Sequence, residues 1–198
     1  MSDKFLSLLK QKKVIWLLCS IPLWAIIGLG FVYSPKEYMF WKVSHAVSGY
    51  ASAVLLVLTL SFAPLTKHFP SWKLFFILNR QKRETGLSCF YYAIIHVAAI
   101  SVKYNLQSAN FQPELIQALL PMLIAGNIAV AIFILLALTS NDFSIKFLKY
   151  RNWKFLQRWI YPVEAAVFIH MALQGGSVLF WAIALFFPLV AIQLFRKT

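Results

Sequence analysis

The chain has 198 residues, of which 61% are aliphatic, aromatic or sulfur-bearing and 13% are charged, against roughly 45–50% apolar and about 25% charged in an ordinary soluble domain. That balance argues against a soluble fold. Nineteen Lys and Arg against six Asp and Glu give a net charge of +13, but the charges cluster between apolar runs instead of forming the continuous basic stripe of a nucleic-acid binder, so the partner they suit is an anionic membrane face.

A hydrocarbon core about 30 Å thick takes about 20 apolar residues in helical form. Six runs of that order, bounded by charge, cover 14–33, 41–63, 86–104, 115–139, 158–174 and 177–195. They predict an all-α membrane protein, a six-transmembrane-helix bundle over 14–195, preceded by a basic 1–13 segment and followed by a 196–198 tail. The first run has the basic start of a secretory signal, yet it is longer than a usual signal core and no small-residue cleavage site follows at 31–35, so it reads as a retained helix. Loops 64–85 and 140–157 mix Trp72, Phe75, Phe76, Phe147 and Trp153 with lysines, a composition suited to a short amphipathic helix along the interface. Gly175 and Gly176 alone part the fifth and sixth runs, a tight turn that makes them antiparallel neighbours. Pro22, Pro121, Pro162 and Pro188 predict kinks or first-turn positions, which membrane helices tolerate. Cys19 and Cys89 lie inside apolar runs and read as small core residues, with no disulfide framework or zinc knuckle available.

Orientation follows from the basic residues on alternate sides. Sixteen fall in the 1–13 segment, the 64–85 loop, the 140–158 stretch and the tail, whereas the opposite side holds only Lys36, Lys42 and Lys103. The positive-inside rule then makes both termini cytoplasmic.

Polar groups within a membrane are costly and are functional candidates by default. Here they are His45, His96, Asn127, Glu164 and His170, with His68 in a cytoplasmic loop. The third and fifth helices run the same way. His96 stands thirteen residues past Arg83 and His170 twelve past Arg158, which puts them roughly 20 and 18 Å from the inner charge layer. Two imidazoles level on different helices can take opposite faces of one flat metal macrocycle, the arrangement a buried b-type haem needs. The plainer reading is that each histidine hydrogen-bonds across helices. His45, about 5 Å below the outer boundary, is a spare ligand, a haem propionate donor, or an interfacial histidine. Glu164 is expected to be neutral and hydrogen-bonded, and Asn127 to tie helices together. Phe90, Tyr91, Tyr92 and Trp159 lie near the histidines, where they either pack on a macrocycle or form plain core.

The stretches KRETGLSCFYYAIIH (82–96), LALTS (136–140), WKFLQRWIYPVEAAVFIH (153–170) and SGYASAVLLVLTLSFAPL (48–65) resemble the ferric reductase-like transmembrane family over roughly 45–175. Within it the likeness is to the haem-binding membrane subunit of a bacterial system that repairs periplasmic methionine sulfoxide. The resemblance implies that His96 and His170 are axial ligands of one haem b. Where that subunit has a further histidine thirteen residues before the last ligand, this chain has Gln157. Where two-haem members of the family place one fourteen before the third-helix ligand, it has Lys82. One haem is therefore expected, fed from the cytoplasmic side by quinol or a reduced flavin such as FMN, with Lys82, Arg83, Lys154 and Arg158 either contacting an anionic cofactor or serving only to set topology.

The expected function is electron transfer outward across a bacterial inner membrane, as a multi-pass oxidoreductase component and not a complete enzyme. Its partners would be membrane lipid and a periplasmic oxidoreductase subunit, by resemblance a molybdenum-containing methionine sulfoxide reductase. After the sixth helix the chain stops at Thr198, so NAD(P)H oxidation is expected on another protein. Three rivals stand beside this reading: a ferric or other metal reductase, a haem-free proton-coupled transporter built on Glu164, His170 and Asn127, and a non-catalytic scaffold.

Overall fold

The computed structural model describes residues 3–33, 37–105 and 113–194, and every regular element among them is a helix. In chain order these are α1 (Asp3–Leu9), α2 (Lys12–Cys19), α3 (Ile21–Tyr33), α4 (Glu37–His68), α5 (Lys73–Arg80), α6 (Lys82–Asn105), α7 (Pro113–Leu138), α8 (Asp142–Gln157), α9 (Ile160–Ala172) and α10 (Gly176–Leu194). Among the described residues five stretches are long and apolar enough to cross a membrane: Lys12–Val32, Glu37–His68, Lys82–Asn105, Gln117–Leu138 and Gly176–Leu194. The large apolar side chains that they leave outside, such as Phe31 at 85% and Phe187 at 73% exposure, suit a hydrocarbon solvent. Lys36 and the Arg196–Lys197 tail, both counted in the charge bias, lie outside the described residues.

The helices fall into two units, one of residues 1–110 with 188–198 and one of 111–187. In the first, α4 packs antiparallel along α6 through small residues. Ser52 and Cys89 exchange hydrogen bonds, each side chain donating to the other's carbonyl at 3.1 and 3.2 Å. Thr59 Oγ1 donates to Thr85 Oγ1 at 3.0 Å. Ser44, Ser48, Ala53, Ala93 and Ala99 complete the buried seam. Small residues let two backbones approach, which is how helices associate where lipid offers no hydrophobic contrast. At the other edge Leu6, Leu9, Ile15, Cys19 and Ile77 cluster, and Gln81 Nε2 donates to Lys10 O at 2.9 Å and Leu9 O at 3.3 Å, satisfying carbonyls at the end of α1.

The predicted first span is broken at Ser20. Pro22 brings no N–H, and its ring crowds the preceding turn. The backbone N–H of Leu23 is shared between Ser20 O at 2.9 Å and the Tyr92 hydroxyl at 3.0 Å, and that hydroxyl donates onward to Cys19 O at 2.6 Å. A hydroxyl has been inserted into one i→i−4 rung, a recognised cause of a kink.

In the second unit α7 packs antiparallel on α9, burying Met122, Ala125, Ala129, Phe133 and Leu136 on one side and Val163, Ala166 and Met171 on the other. The predicted 158–174 run forms only a 13-residue helix, with Pro162 in its first turn. Gly175 (φ 67°) and Gly176 (φ 51°) then reverse the chain in the conformation that favours glycine, and Phe168 meets Phe186 edge-on. The 64–85 and 140–157 loops hold the expected short helices, α5 and α8. Asn141 caps α8, its side chain accepting from Ser144 N at 2.7 Å. Lys149, at φ 62° and ψ 143°, bends α8 in the middle, in a region costly to residues with a side chain. Lys149→Gly is expected to raise stability by about 1 kcal/mol, read as an upward shift of the unfolding midpoint in detergent. A downward shift would mean that the lysine side chain is worth more than the strain.

Candidate functional site

Two of the sequence-predicted histidines meet in the first unit. His45 on α4 and His96 on α6 stack their rings at 4.3 Å between centroids and 24° between planes. His96 Nδ1 lies 2.9 Å from the backbone carbonyl of His45. An acceptor-only carbonyl requires a proton on the facing nitrogen, so the Nδ1–H of His96 donates and, in the neutral ring, the lone pair resides on Nε2. The register that creates this contact is set by the small-residue seam below it, where Ser52 and Cys89 interlock.

His170 repeats the arrangement in the second unit. Its Nδ1 lies 2.9 Å from Met122 O on α7, which fixes the same tautomer. The Gln174 amide, one turn further on, stands 3.3 Å from Nε2 and donates to its lone pair. In both units a half-buried imidazole thus has its orientation locked by a backbone carbonyl of a neighbouring helix and its lone pair on Nε2, which at His170 can take a metal only once the exposed Gln174 amide turns away.

The basic candidates stand at helix starts and ends. Lys82 is half-buried and Arg83 exposed in the first turn of α6; Arg158 is exposed at the C-cap of α8, and Lys154 is exposed with its ammonium 5.6 Å over the Tyr150 ring. Gln157 donates to Thr139 Oγ1 at 3.2 Å, next to the 2.9 Å bond from Trp153 Nε1 to Thr139 O. These bonds tie the end of α8 to the end of α7. His68, closing α4, pairs its Nδ1 with Pro64 O at 2.9 Å.

Other candidates take different places. Asn127, expected to join helices, is exposed on α7 and its side chain makes no hydrogen bond among the described residues, because the face of α7 that meets α9 is carried by positions 122, 125 and 129. Glu164 is buried and has a partner, as a carboxyl at that position requires. Tyr92 serves the break between α2 and α3, Tyr91 rests against Trp16 at 5.9 Å, and Trp159 is exposed. Sequence reasoning passed over Glu84. The structure buries it in the first turn of α6, with Oε1 3.1 Å from Lys12 Nζ and Oε2 buried without a hydrogen-bond partner. The signal was a single acid set among Lys82, Arg83 and the apolar run that follows.

Known proteins resemble this chain over part or most of its length. Over 100 residues the chain is 31% identical to the magnetosome protein MamZ of Paramagnetospirillum magneticum, a match covering 50% of this chain and 15% of that protein. Over 168 residues it is 28% identical to the protein-methionine-sulfoxide reductase heme-binding subunit MsrQ of Brucella ovis and to that of Brucella anthropi, covering 78% of this chain and 72% of each relative. The family described as "Ferric reductase like transmembrane component" matches residues 48–169, a span that holds the α4–α6 seam from Ser48 onward and His96 and stops one residue before His170. With well over half of its length inside that match, the chain belongs to the ferric reductase-like transmembrane family.

Proposed function

We propose that the protein is a haem b-binding electron-transfer subunit of a bacterial inner membrane, with His96 and His170 as the axial ligands. The observation that carries this reading is the pair of Nδ1–H bonds to His45 O and Met122 O. Each places the proton on Nδ1 and the lone pair on Nε2, the ligating nitrogen, from which Gln174 must turn away at His170. The donor set therefore fits the group, and the methionine-sulfoxide reductase relatives are themselves heme-binding subunits. His96 and His170 would hold a haem b, which when bound would supply one-electron transfer at a potential set by its ligands and surroundings. The chain's own residues hold the imidazoles in one tautomer and exclude water with apolar helix faces.

In this proposal α9, although only 13 residues long, is a sixth crossing paired with α7, and both termini face the cytoplasm on the basic-residue bias. One haem is bound. Gln157 stands where a second site would need histidine, and its amide is already engaged with Thr139. Quinol or a reduced flavin donates from the cytoplasmic side, where Lys82, Arg83 and Arg158 are the anion contacts. The acceptor is a periplasmic oxidoreductase, a methionine sulfoxide reductase if the relatives' partnership carries over. A metal-reductase function on the same helices is a second reading, favoured by the family match itself. The transporter reading loses ground because Asn127 lies exposed on α7, off the face carried by positions 122, 125 and 129.

The test is a reduced-minus-oxidised visible spectrum of the detergent-purified protein together with haem extraction. One haem b per chain with sharp low-spin bands is expected. A colourless protein after expression with ample haem would sink the reading, and two haems would overturn the single-site assignment. His45→Ala is expected to leave haem content unchanged, because the acceptor for His96 is the backbone carbonyl of residue 45 and survives the substitution. Loss of haem from His45→Ala would make His45 a ligand.

A further inference from the structure

A helical side chain leans over the turn that precedes it, so residue i+4 covers the carbonyl of residue i. A donor arriving from a neighbouring helix reaches that carbonyl only if position i+4 is bare. The carbonyls that hold the two histidines belong to His45 and Met122, and four residues after each stands a glycine, Gly49 and Gly126. A Cβ at Gly49 would lie 2.7 Å from His96 Nδ1 and 2.9 Å from its Cε1; one at Gly126 would lie 2.8 Å from His170 Nδ1 and 3.1 Å from its Cε1. Both distances to Nδ1 are below any real contact, and the obstructing atoms belong to rings held by 2.9 Å bonds. The same device occurs once in each unit, on different helices and among different neighbours.

We infer that Gly49 and Gly126 are positioning residues, bare patches that let His96 and His170 lie against a helix backbone and so decide which imidazole nitrogen faces outward. The haem part of this inference rests on the proposed function; the tautomer part does not. An added methyl group at either glycine displaces the ring from its carbonyl, frees Nδ1 and Nε2 to exchange the proton, and turns the ring away from its ligating orientation. Gly28, with open space where its Cβ would stand, and Gly86, whose Cβ would meet only Thr59 Cγ2 at 3.8 Å, are internal controls.

The experiment compares wild type with Gly49→Ala, Gly126→Ala, Gly28→Ala and Gly86→Ala, each as the full chain in detergent. Haem per chain and the low-spin electron paramagnetic resonance signal are measured on the loaded proteins, with helicity by circular dichroism as the check on folding. Gly49→Ala and Gly126→Ala are expected to retain helicity while haem affinity falls about tenfold or more, the scale for losing an outer-shell partner of a ligand, and the residual signal shifts; the two controls keep the wild-type spectrum. Wild-type content and signal in both test variants would overturn the inference. A second arm uses 15N-histidine spectra of haem-free protein. His96 and His170 are expected as Nδ1–H tautomers in wild type and as mixed tautomers in the corresponding alanine variant. An Nε2–H tautomer in wild type would overturn the inference even if a variant fails to fold. A wild type that binds no haem, yet shows both Nδ1–H tautomers and loses them on Gly→Ala substitution, would sink the haem reading while supporting the positioning role.

Discussion

His96→Ala and His170→Ala are each expected to abolish the low-spin, six-coordinate haem spectrum. The contrast with a merely structural histidine is large enough to decide the matter. An interhelical hydrogen bond in a membrane protein is worth about 0.6 kcal/mol on average and under about 2 kcal/mol at most, so losing one Nδ1–H bond to a carbonyl would lower the unfolding midpoint a little and touch no chromophore. Losing an axial imidazole leaves iron with one protein ligand, which changes its spin state whatever happens to stability. The measurement is the visible spectrum and haem content of each variant beside its thermal midpoint. Both variants keeping the wild-type spectrum would defeat the ligand assignment; a spectrum lost at unchanged midpoint would support it most strongly.

Tyr92→Phe is expected to destabilise the protein by about 1–3 kcal/mol, the cost of leaving a buried carbonyl unpaired. The Tyr92 hydroxyl is at once acceptor for Leu23 N–H and donor to Cys19 O, and its residue is buried. Without it Cys19 O loses its donor beside a buried side chain, whereas Leu23 N–H keeps its 2.9 Å bond to Ser20 O. Unfolding in detergent monitored by circular dichroism gives the loss, and the buried thiol of Cys19 should react faster with a thiol reagent as the break loosens. A change below about 0.5 kcal/mol with no gain in thiol reactivity would mean that residues 19 and 23 re-form a direct bond.

The apolar runs were legible because the requirement of about 20 residues per crossing is one of length and composition, and five of the runs reappear as long apolar stretches. The break at Ser20 was not legible. Pro22 announced a kink, but the group that completes it comes from Tyr92, far along the chain, and depends on how α6 packs beside α2. The helix at 37–68 outran its predicted 41–63 because charge was taken as a boundary, whereas Glu37 at its first turn and Lys67 and His68 at its last suit the helix dipole and extend it.

At the site, the rarity of polar groups in the membrane singled out the histidines. What one sequence did not carry was register: that His45 lies over His96 follows from which residues of α4 and α6 interlock, and nothing local specifies it. Gly49 and Gly126 were legible in principle. An isolated glycine inside a helical run costs about 1 kcal/mol relative to alanine and implies a close approach, but the approaching group is visible only once α4 meets α6 and α7 meets α9.

The seam between α4 and α6 has a thermal consequence. Its contacts are hydrogen bonds among Ser52, Cys89, Thr59 and Thr85 and close packing of Ser44, Ser48, Ala53, Ala93 and Ala99, formed where the competing solvent is hydrocarbon and not water. Parting the two helices within a bilayer exposes little apolar surface to water, so the large positive heat capacity of unfolding that bends a soluble protein's stability curve is nearly absent here. The helix pair should therefore grow steadily firmer as the membrane is cooled, with no temperature of maximum stability above freezing.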